Sequence, residues 1–481
     1  MKIFDGKYLF KTLSVIGLIM LLCMVTDGAA IAIAIPFSII AWFRKKYESL
    51  IFWILLLMTS IIINSYFMPK GPIYGYAQRG ALVLLGCIGV AQFTSSKRNA
   101  IIGTMLGMLV YILYMVIPSI GGYYPIVSYL KIALFIFIYL ALSGTTNSVL
   151  MSQRLDITKV RSVYLAFGIV IILGSMMVLP FPDIGQLKAE EYEDLLLSGA
   201  QVLSLFKGMT YHSQTLGPVV VMLSSLIMAD VLFGIRKFNW LYVLLLICAP
   251  YLIYTTSSRT AMGAYIFVNA ILFFMFVRTR NIRALWRRTV YMLVFVVGCM
   301  GLVLMMFSTP VQDGIARFVL KYDSSATLSD VSFEQATATR QGLIDVALDD
   351  FKRKPLLGNG FQVDERLLRM MGNASGLPLS APVEKGFWIT AILQEGGVIG
   401  FIIYLSFLVS VSLKMRRGGY KCALALFLLL HILNFGEFTM FSMSGNGGFL
   451  WTMVFMGLII DGFRRREESQ RLGWSLNGRW Q

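Results

Sequence analysis

The residues of this chain that could do chemistry are few, and they stand at the ends of long apolar stretches. Arg259 lies in the run Thr255-Thr256-Ser257-Ser258-Arg259-Thr260, between two such stretches. A charge beside a bilayer core is expensive and usually faces a partner or a water-filled cavity. The plainer reading is an arginine snorkelling to the interface. Arg340 opens an amphipathic stretch in the longest polar connection, where a solvated arginine would also be at home. Two guanidinium groups on one face would suit a pyrophosphate, because each can bind phosphate oxygens in a two-pronged way. His212, in Tyr211-His212-Ser213-Gln214, could act as a general base or as a hydrogen-bonded interface residue. Glu384 and Lys385 precede an apolar stretch, Glu395 lies inside it, and Glu437 stands near the outer end of the penultimate one. Each carboxylate could be a buried hydrogen-bonding group. Glu395 reads that way most naturally, since Gly396, Gly397 and Gly400 let backbones approach closely. His431 lies deep in an apolar stretch and reads as structural. The chain has no P-loop and no H-E-x-x-H. With two histidines and no clear His/Cys/carboxylate cluster, no metal centre and no cofactor is expected.

The composition says what must position these residues. Of 481 residues, 57% are hydrophobic and 14% charged, and the mean hydropathy is +0.73. A soluble domain carries about 25% charged residues. The apolar residues come in blocks of roughly 20, the length a helix needs to cross a hydrocarbon core about 30 Å thick. Helices satisfy their own backbone groups in lipid, and the alternating pattern of a transmembrane barrel is absent. The expected fold class is all-α: a polytopic integral membrane helical bundle of about fourteen transmembrane helices. The second segment, 28–43, is short and interrupted by Pro36. Cys23, Cys87, Cys248, Cys299 and Cys422 fall in or beside apolar blocks without metal-ligand spacing, so they read as packing residues. The start of the chain is not a clear cleaved signal, since Asp27 and more apolar sequence follow the first block directly.

The formal net charge of +17 reads as topology, because basic residues collect in cytoplasmic connections. Short basic clusters between apolar blocks speak against nucleic acid as a partner. With the N-terminus inside, every second connection is basic. These hold Arg44-Lys45-Lys46, then Lys97-Arg98, then Arg154 with Lys159 and Arg161, then Arg236-Lys237. Next come Arg278, Arg280, Arg283, Arg287 and Arg288, then Lys414, Arg416, Arg417 and Lys421, and finally the tail at Arg464-Arg465-Arg466. The alternation holds only for an even number of spans, which places both termini in the cytoplasm. Two external connections are long, roughly 181–210 and 310–385. In the second, Leu343, Ile344, Ala347, Leu348 and Phe351 recur at helical spacing over 339–354, and Pro355, Gly358 and Gly360 end the pattern. The organisation expected is 1–209, N-terminal transmembrane helices; 210–309, central transmembrane helices with the Arg259 turn; 310–385, an external loop subdomain with one amphipathic helix; and 386–481, C-terminal transmembrane helices and a cytoplasmic tail.

Three runs together carry a resemblance. The Ser258-Arg259 turn between two spans resembles the arginine turn of the O-antigen ligase and polymerase family, the Wzy-type and WaaL-type proteins. The stretch Thr339-Arg340-Gln341, a helix, and Pro355-Leu356-Leu357-Gly358-Asn359-Gly360-Phe361 is similar to that family's external-loop pattern, an arginine, a helix and P-L-L-G-x-G-F. The run Leu393-Gln394-Glu395-Gly396-Gly397-Val398-Ile399-Gly400 looks like its L-x-E-x-G-x-x-G entry into the next helix. The match covers roughly 210–405, and each motif alone is weak. The resemblance implies a GT-C type, inverting membrane glycosyltransferase on the periplasmic face of a bacterial inner membrane. Its donor would be a glycan on undecaprenyl pyrophosphate, and no metal or nucleotide sugar would be needed, because the lipid pyrophosphate is already a leaving group. Arg259 and Arg340 would bind that pyrophosphate, with Ser258, Lys385, Glu395 and Glu437 in support. Ligases of the family carry a histidine, usually as His-Asn, shortly before the L-x-E-x-G run; this chain has Glu384-Lys385-Gly386-Phe387 there. The difference favours a polymerase of surface polysaccharide, O-antigen of lipopolysaccharide or exopolysaccharide. It makes Glu384 the expected base and His212 the second choice, although the adjacent Lys385 works against a raised pKa for Glu384. The expected partners are the lipid-linked glycan, membrane lipids and a chain-length regulator. The competing readings are a ligase that transfers glycan to lipid A core and a lipid-linked glycan transporter or flippase. Transporters place ionisable groups near the membrane midplane, whereas here they stand at the rim below a large loop.

Overall fold

The computed structural model describes residues 3–95, 99–152, 156–186, 206–233, 239–256, 258–277, 333–363, 385–436 and 438–471. Among them every regular element is a helix, and the only β pairings are the isolated bridges Ile63 to Thr210 and Gln186 to Phe206. The helices are α1 (Gly6–Val25), α2 (Ala34–Phe43), α3 (Tyr47–Ile62), α4 (Pro72–Ser95), α5 (Ala100–Met105), α6 (Gly107–Tyr114), α7 (Val116–Ile120), α8 (Pro125–Met151) and α9 (Ile157–Gly168). They continue with α10 (Gly174–Val178), α11 (Pro182–Gly185), α12 (Ser213–Phe233), α13 (Trp240–Thr255), α14 (Arg259–Val277), α15 (Phe333–Arg353), α16 (Trp388–Arg417), α17 (Lys421–Leu433) and α18 (Asn446–Arg471). Among the described residues nine helical stretches are long and apolar enough to cross a membrane, and four apolar helices are shorter. The apolar stretch 289–309, expected as one of the fourteen spans, lies outside the described residues.

Burial sets the layers. Helix α12 is almost wholly buried, and α13, α14, α17 and α18 pack around it. Helix α1 is largely exposed and lies at the periphery. Helices α4 and α8 run tightly together because glycines face each other: a Cβ on Gly144 would stand 2.4 Å from the Gly89 carbonyl oxygen. Deep in the bundle Arg161 forks onto Asp230 at 2.8 and 2.9 Å, and Tyr164 donates a third hydrogen bond to the same carboxylate. A lone charge there would be prohibitive, and the fork answers every oxygen of Asp230. The charge pattern had assigned Arg161 to a basic connection; it belongs to α9 and faces the core.

The helix ends sort into two sets. At one end the Asp5 N–H donates to Ser162, Lys159 pairs with Glu48 at 4.0 Å, the Asn99 N–H donates to Asn147, and Arg464 and Arg466 reach the Gly419 and Ser152 carbonyls. At the other end the Asn64 N–H donates to the Met209 carbonyl at 2.8 Å, Asn64 Nδ2 to Ile184 at 3.0 Å, and the Gly71 N–H to Asp27 at 3.1 Å. The described connections with basic clusters fall in the first set. Those with His212, Ser258 and Lys385 fall in the second.

Candidate functional site

The site is organised by a break in α16. Gly397 has φ +63° and ψ −166°, which no helix contains. The break frees backbone groups on both sides of it, and buried backbone groups must find partners. The loop at 355–360 supplies them. The Asn359 N–H donates to the Gln394 carbonyl at 2.9 Å and the Gly360 N–H to the Glu395 carbonyl at 3.0 Å. In return the Val398 N–H donates to the Pro355 carbonyl at 2.9 Å and the Ile399 N–H to Leu356 at 3.4 Å. Such closeness requires glycine on both partners. A Cβ on Gly397 would lie 2.2 Å from the Leu356 carbonyl oxygen, and one on Gly358 would lie 2.4 Å from the Glu395 backbone. Gly358 also has φ +77° and Gly360 φ +103°, conformations that L side chains avoid. The P-L-L-G-N-G-F run and the L-Q-E-G-G-V-I-G run are thus one structural unit.

Helix α15 leads into this unit. Asp350, near its end, accepts from Tyr123 at 2.9 Å and from Gln394 at 2.7 Å, while Asn359 Nδ2 donates to the Asp350 carbonyl at 3.0 Å. Ser119 and Ser128 hold the Phe361 N–H and carbonyl at 3.2 and 3.0 Å. The exposed Asp349 pairs with Lys352 at 2.9 Å, which holds its carboxyl below the ordinary range. Arg340 belongs to α15, whose side chains are described from Gln341 onward, so its guanidinium lies outside the described residues. Glu384 and Glu437 also lie outside them. Lys385 and Glu395 are brought together at 2.8 Å, both buried.

The Ser258-Arg259 turn stands at the same end. The Ala261 N–H approaches Ser258 Oγ at 3.4 Å, so Ser258 sits in the capping position of α14, and the half-buried Arg259 is its first residue. Helix α14 packs on α12 through Gly217, whose Cβ would stand 3.1 Å from that of Ser258. His212 lies at the start of α12, where its Nδ1 accepts the Gln214 N–H at 3.1 Å. A backbone N–H can only donate, so a neutral His212 ring carries its proton on Nε2. In that tautomer Nε2 is a hydrogen-bond donor. Two helix starts, with His212 and Arg259 beside them, stand on adjacent helices at this end of the bundle, where the helix dipoles add positive potential. Helix α14 also packs on α17, whose end reaches α16: the Phe387 and Phe435 rings stack at 5.2 Å. The turn and the α16 unit therefore share one contiguous rim.

Lys70 stands on this rim as well. Its ammonium donates to the Ile61 carbonyl at 2.6 Å and lies 4.9 Å over the Tyr211 ring. It is reachable by solvent but hemmed in by protein, and desolvation lowers it to about 8. Labelling with an amine-reactive reagent, followed by peptide mass spectrometry, should give Lys70 a midpoint near pH 8. A Lys70 midpoint at the ordinary lysine value of about 10.4 would contradict this environment.

Sequence reasoning missed Lys70, Asp350, Gln394 and Lys131. For Lys131 a signal existed, a lone lysine inside an apolar helix. His431 is buried and hydrogen-bonded on both sides of its ring: its Nδ1 donates to the Phe427 carbonyl and its Nε2 accepts from Tyr404, both at 2.7 Å. Cys23, Cys87, Cys248 and Cys422 are free thiols, and Cys299 lies outside the described residues. Among the described residues no group of three or more His, Cys, Asp or Glu could hold a metal ion. No protein-family model matches the chain, and no curated protein matches it.

Proposed function

We propose that this chain is a polysaccharide polymerase of the inner membrane, joining undecaprenyl-pyrophosphate-linked oligosaccharide units on the periplasmic face. The proposal includes a fourteen-span topology with both termini in the cytoplasm. The single observation that supports it best is the docking of the P-L-L-G-N-G-F loop on the break in α16. Two motifs that resemble one family in sequence are also one piece of structure, on the rim that carries the Ser258-Arg259 turn.

On this reading Arg259 and Arg340 grip the diphosphate of the donor lipid, and the Nε2–H of His212 and the starts of α12 and α14 add positive potential. A hydroxyl of the acceptor sugar attacks the anomeric carbon of the donor chain. The new C–O bond forms as the bond from that carbon to the phosphate oxygen breaks, with inversion. The leaving diphosphate takes the bonding electrons, and the cations stabilise the charge as it develops, which is where such groups lower a barrier. Glu384 takes the hydroxyl proton. A carboxylate serves best as a base when its pKa lies near the working pH or when it touches the hydroxyl directly.

Analysis of surface glycan in cells lacking the gene tests the reading. Single lipid-linked or capped units in place of long chains are expected. Undecorated lipid A core beside intact polymer would mean a ligase. Units stalled on the cytoplasmic side would mean a flippase.

A further inference from the structure

Behind the docked loop lie two lysines and a glutamate that take no part in the transfer step. Lys131, in apolar α8, donates to the Gln362 carbonyl at 3.0 Å. Lys385 donates to the next carbonyl, that of Val363, at 3.2 Å, and to Glu395 Oε1 at 2.8 Å. All three side chains are buried. Gln362 has φ +52°, a left-handed conformation that a non-glycine residue keeps only when its surroundings enforce it. Val363 and Lys385 stand 22 positions apart in sequence, yet one hydrogen bond ties them.

Burying three charges is costly, and a pair that serves only to hold a fold can often be replaced by apolar residues without loss. What apolar residues cannot do is donate to carbonyls. An ammonium carries three donors, and here two ammonium groups converge on consecutive carbonyls of one strained turn. Glu395 neutralises and aims the second of them.

We propose that Lys131, Lys385 and Glu395 are positioning residues that clamp the 361–363 turn to the start of α16. They fix where the chain leaves the docked loop and where residue 385 re-enters the bundle. The role in glycan transfer rests on the function proposed above; the clamp itself does not.

The test uses full-length protein carrying Glu395→Met, Lys385→Arg, or Lys385→Met with Glu395→Met, made in cells lacking the gene. Three readouts are compared: thermal unfolding of the purified protein, amide hydrogen exchange at 359–363, and surface polymer length. Glu395→Met alone should lower the unfolding temperature, because it strands the Lys385 ammonium. The double variant should recover wild-type thermal stability, yet exchange at 359–363 should rise about tenfold or more and polymer should shorten to a few units. Lys385→Arg should keep slow exchange and long chains. Wild-type exchange in the double variant would overturn the clamp. Raised exchange with full-length polymer would overturn its role in transfer. If cells lacking the gene make normal polymer, the function reading fails, and the exchange measurement alone decides the clamp.

Discussion

Arg259→Ala should abolish long surface polymer while leaving single lipid-linked units intact. A departing diphosphate gathers negative charge as the glycosidic bond forms, and a fixed guanidinium stabilises that charge without having to reorganise. Removing one such donor typically costs about 10²- to 10³-fold in rate, roughly 2.7–4 kcal/mol. Polymer length compounds the loss, since every added unit needs its own transfer. Arg259→Lys should keep the charge but lose the planar fork, leaving short chains. Arg340→Ala should match Arg259→Ala, because both grip the same group. Separation of extracted glycan on gels, with protein abundance measured in membranes, checks each variant. Long chains from both alanine variants would remove the pyrophosphate roles.

The second large effect is structural. Gly397→Ala should dislodge the docked loop. A residue forced into a conformation that essentially only glycine adopts costs about 1–3 kcal/mol. The added Cβ would also meet the Leu356 carbonyl at 2.2 Å, with backbone rather than a flexible side chain in its way. Relief means separating the loop from α16, which gives up four backbone hydrogen bonds, each worth about 1 kcal/mol net. Gly358→Ala should behave alike, since its Cβ would strike the Glu395 backbone. Gly17→Ala is the control: nothing lies within 4 Å of its Cβ position, and alanine is a better helix former by about 1 kcal/mol. Thermal unfolding and limited proteolysis should show Gly397→Ala weakened and cut near 355–363, with Gly17→Ala at or slightly above wild-type stability and as resistant to protease. A Gly397→Ala protein as stable and protease-resistant as wild type would contradict the docking geometry.

The helices were legible because a bilayer dictates the length and composition of what crosses it. The amphipathic pattern of 339–354 was legible because Leu343, Ala347 and Phe351 repeat with the helical period. Helix α15 nevertheless starts earlier, at Phe333, because the stretch from Glu334 to Thr339 offers no apolar stripe to read. Arg161 was misassigned because a charge at a helix entry looks the same in sequence whether it meets water or Asp230. Asp230 and Lys131 lie inside apolar helices, where a charge is itself a signal, but their partners come from distant parts of the chain. The break in α16 was hidden for a different reason. Gly396 and Gly397 read equally well as a close helix crossing, and only the loop at 355–360, which no local spacing connects to them, shows that the helix opens there.

Transfer from a lipid diphosphate should proceed with no other donor present. The decisive assay gives purified full-length protein in lipid vesicles undecaprenyl-pyrophosphate-linked repeat units alone. A ladder of two, three and more units is expected, with one undecaprenyl pyrophosphate released for each bond formed, and no ladder from Arg259→Ala. Units that stay single and intact, whether on the side where they began or carried across the membrane, would contradict it.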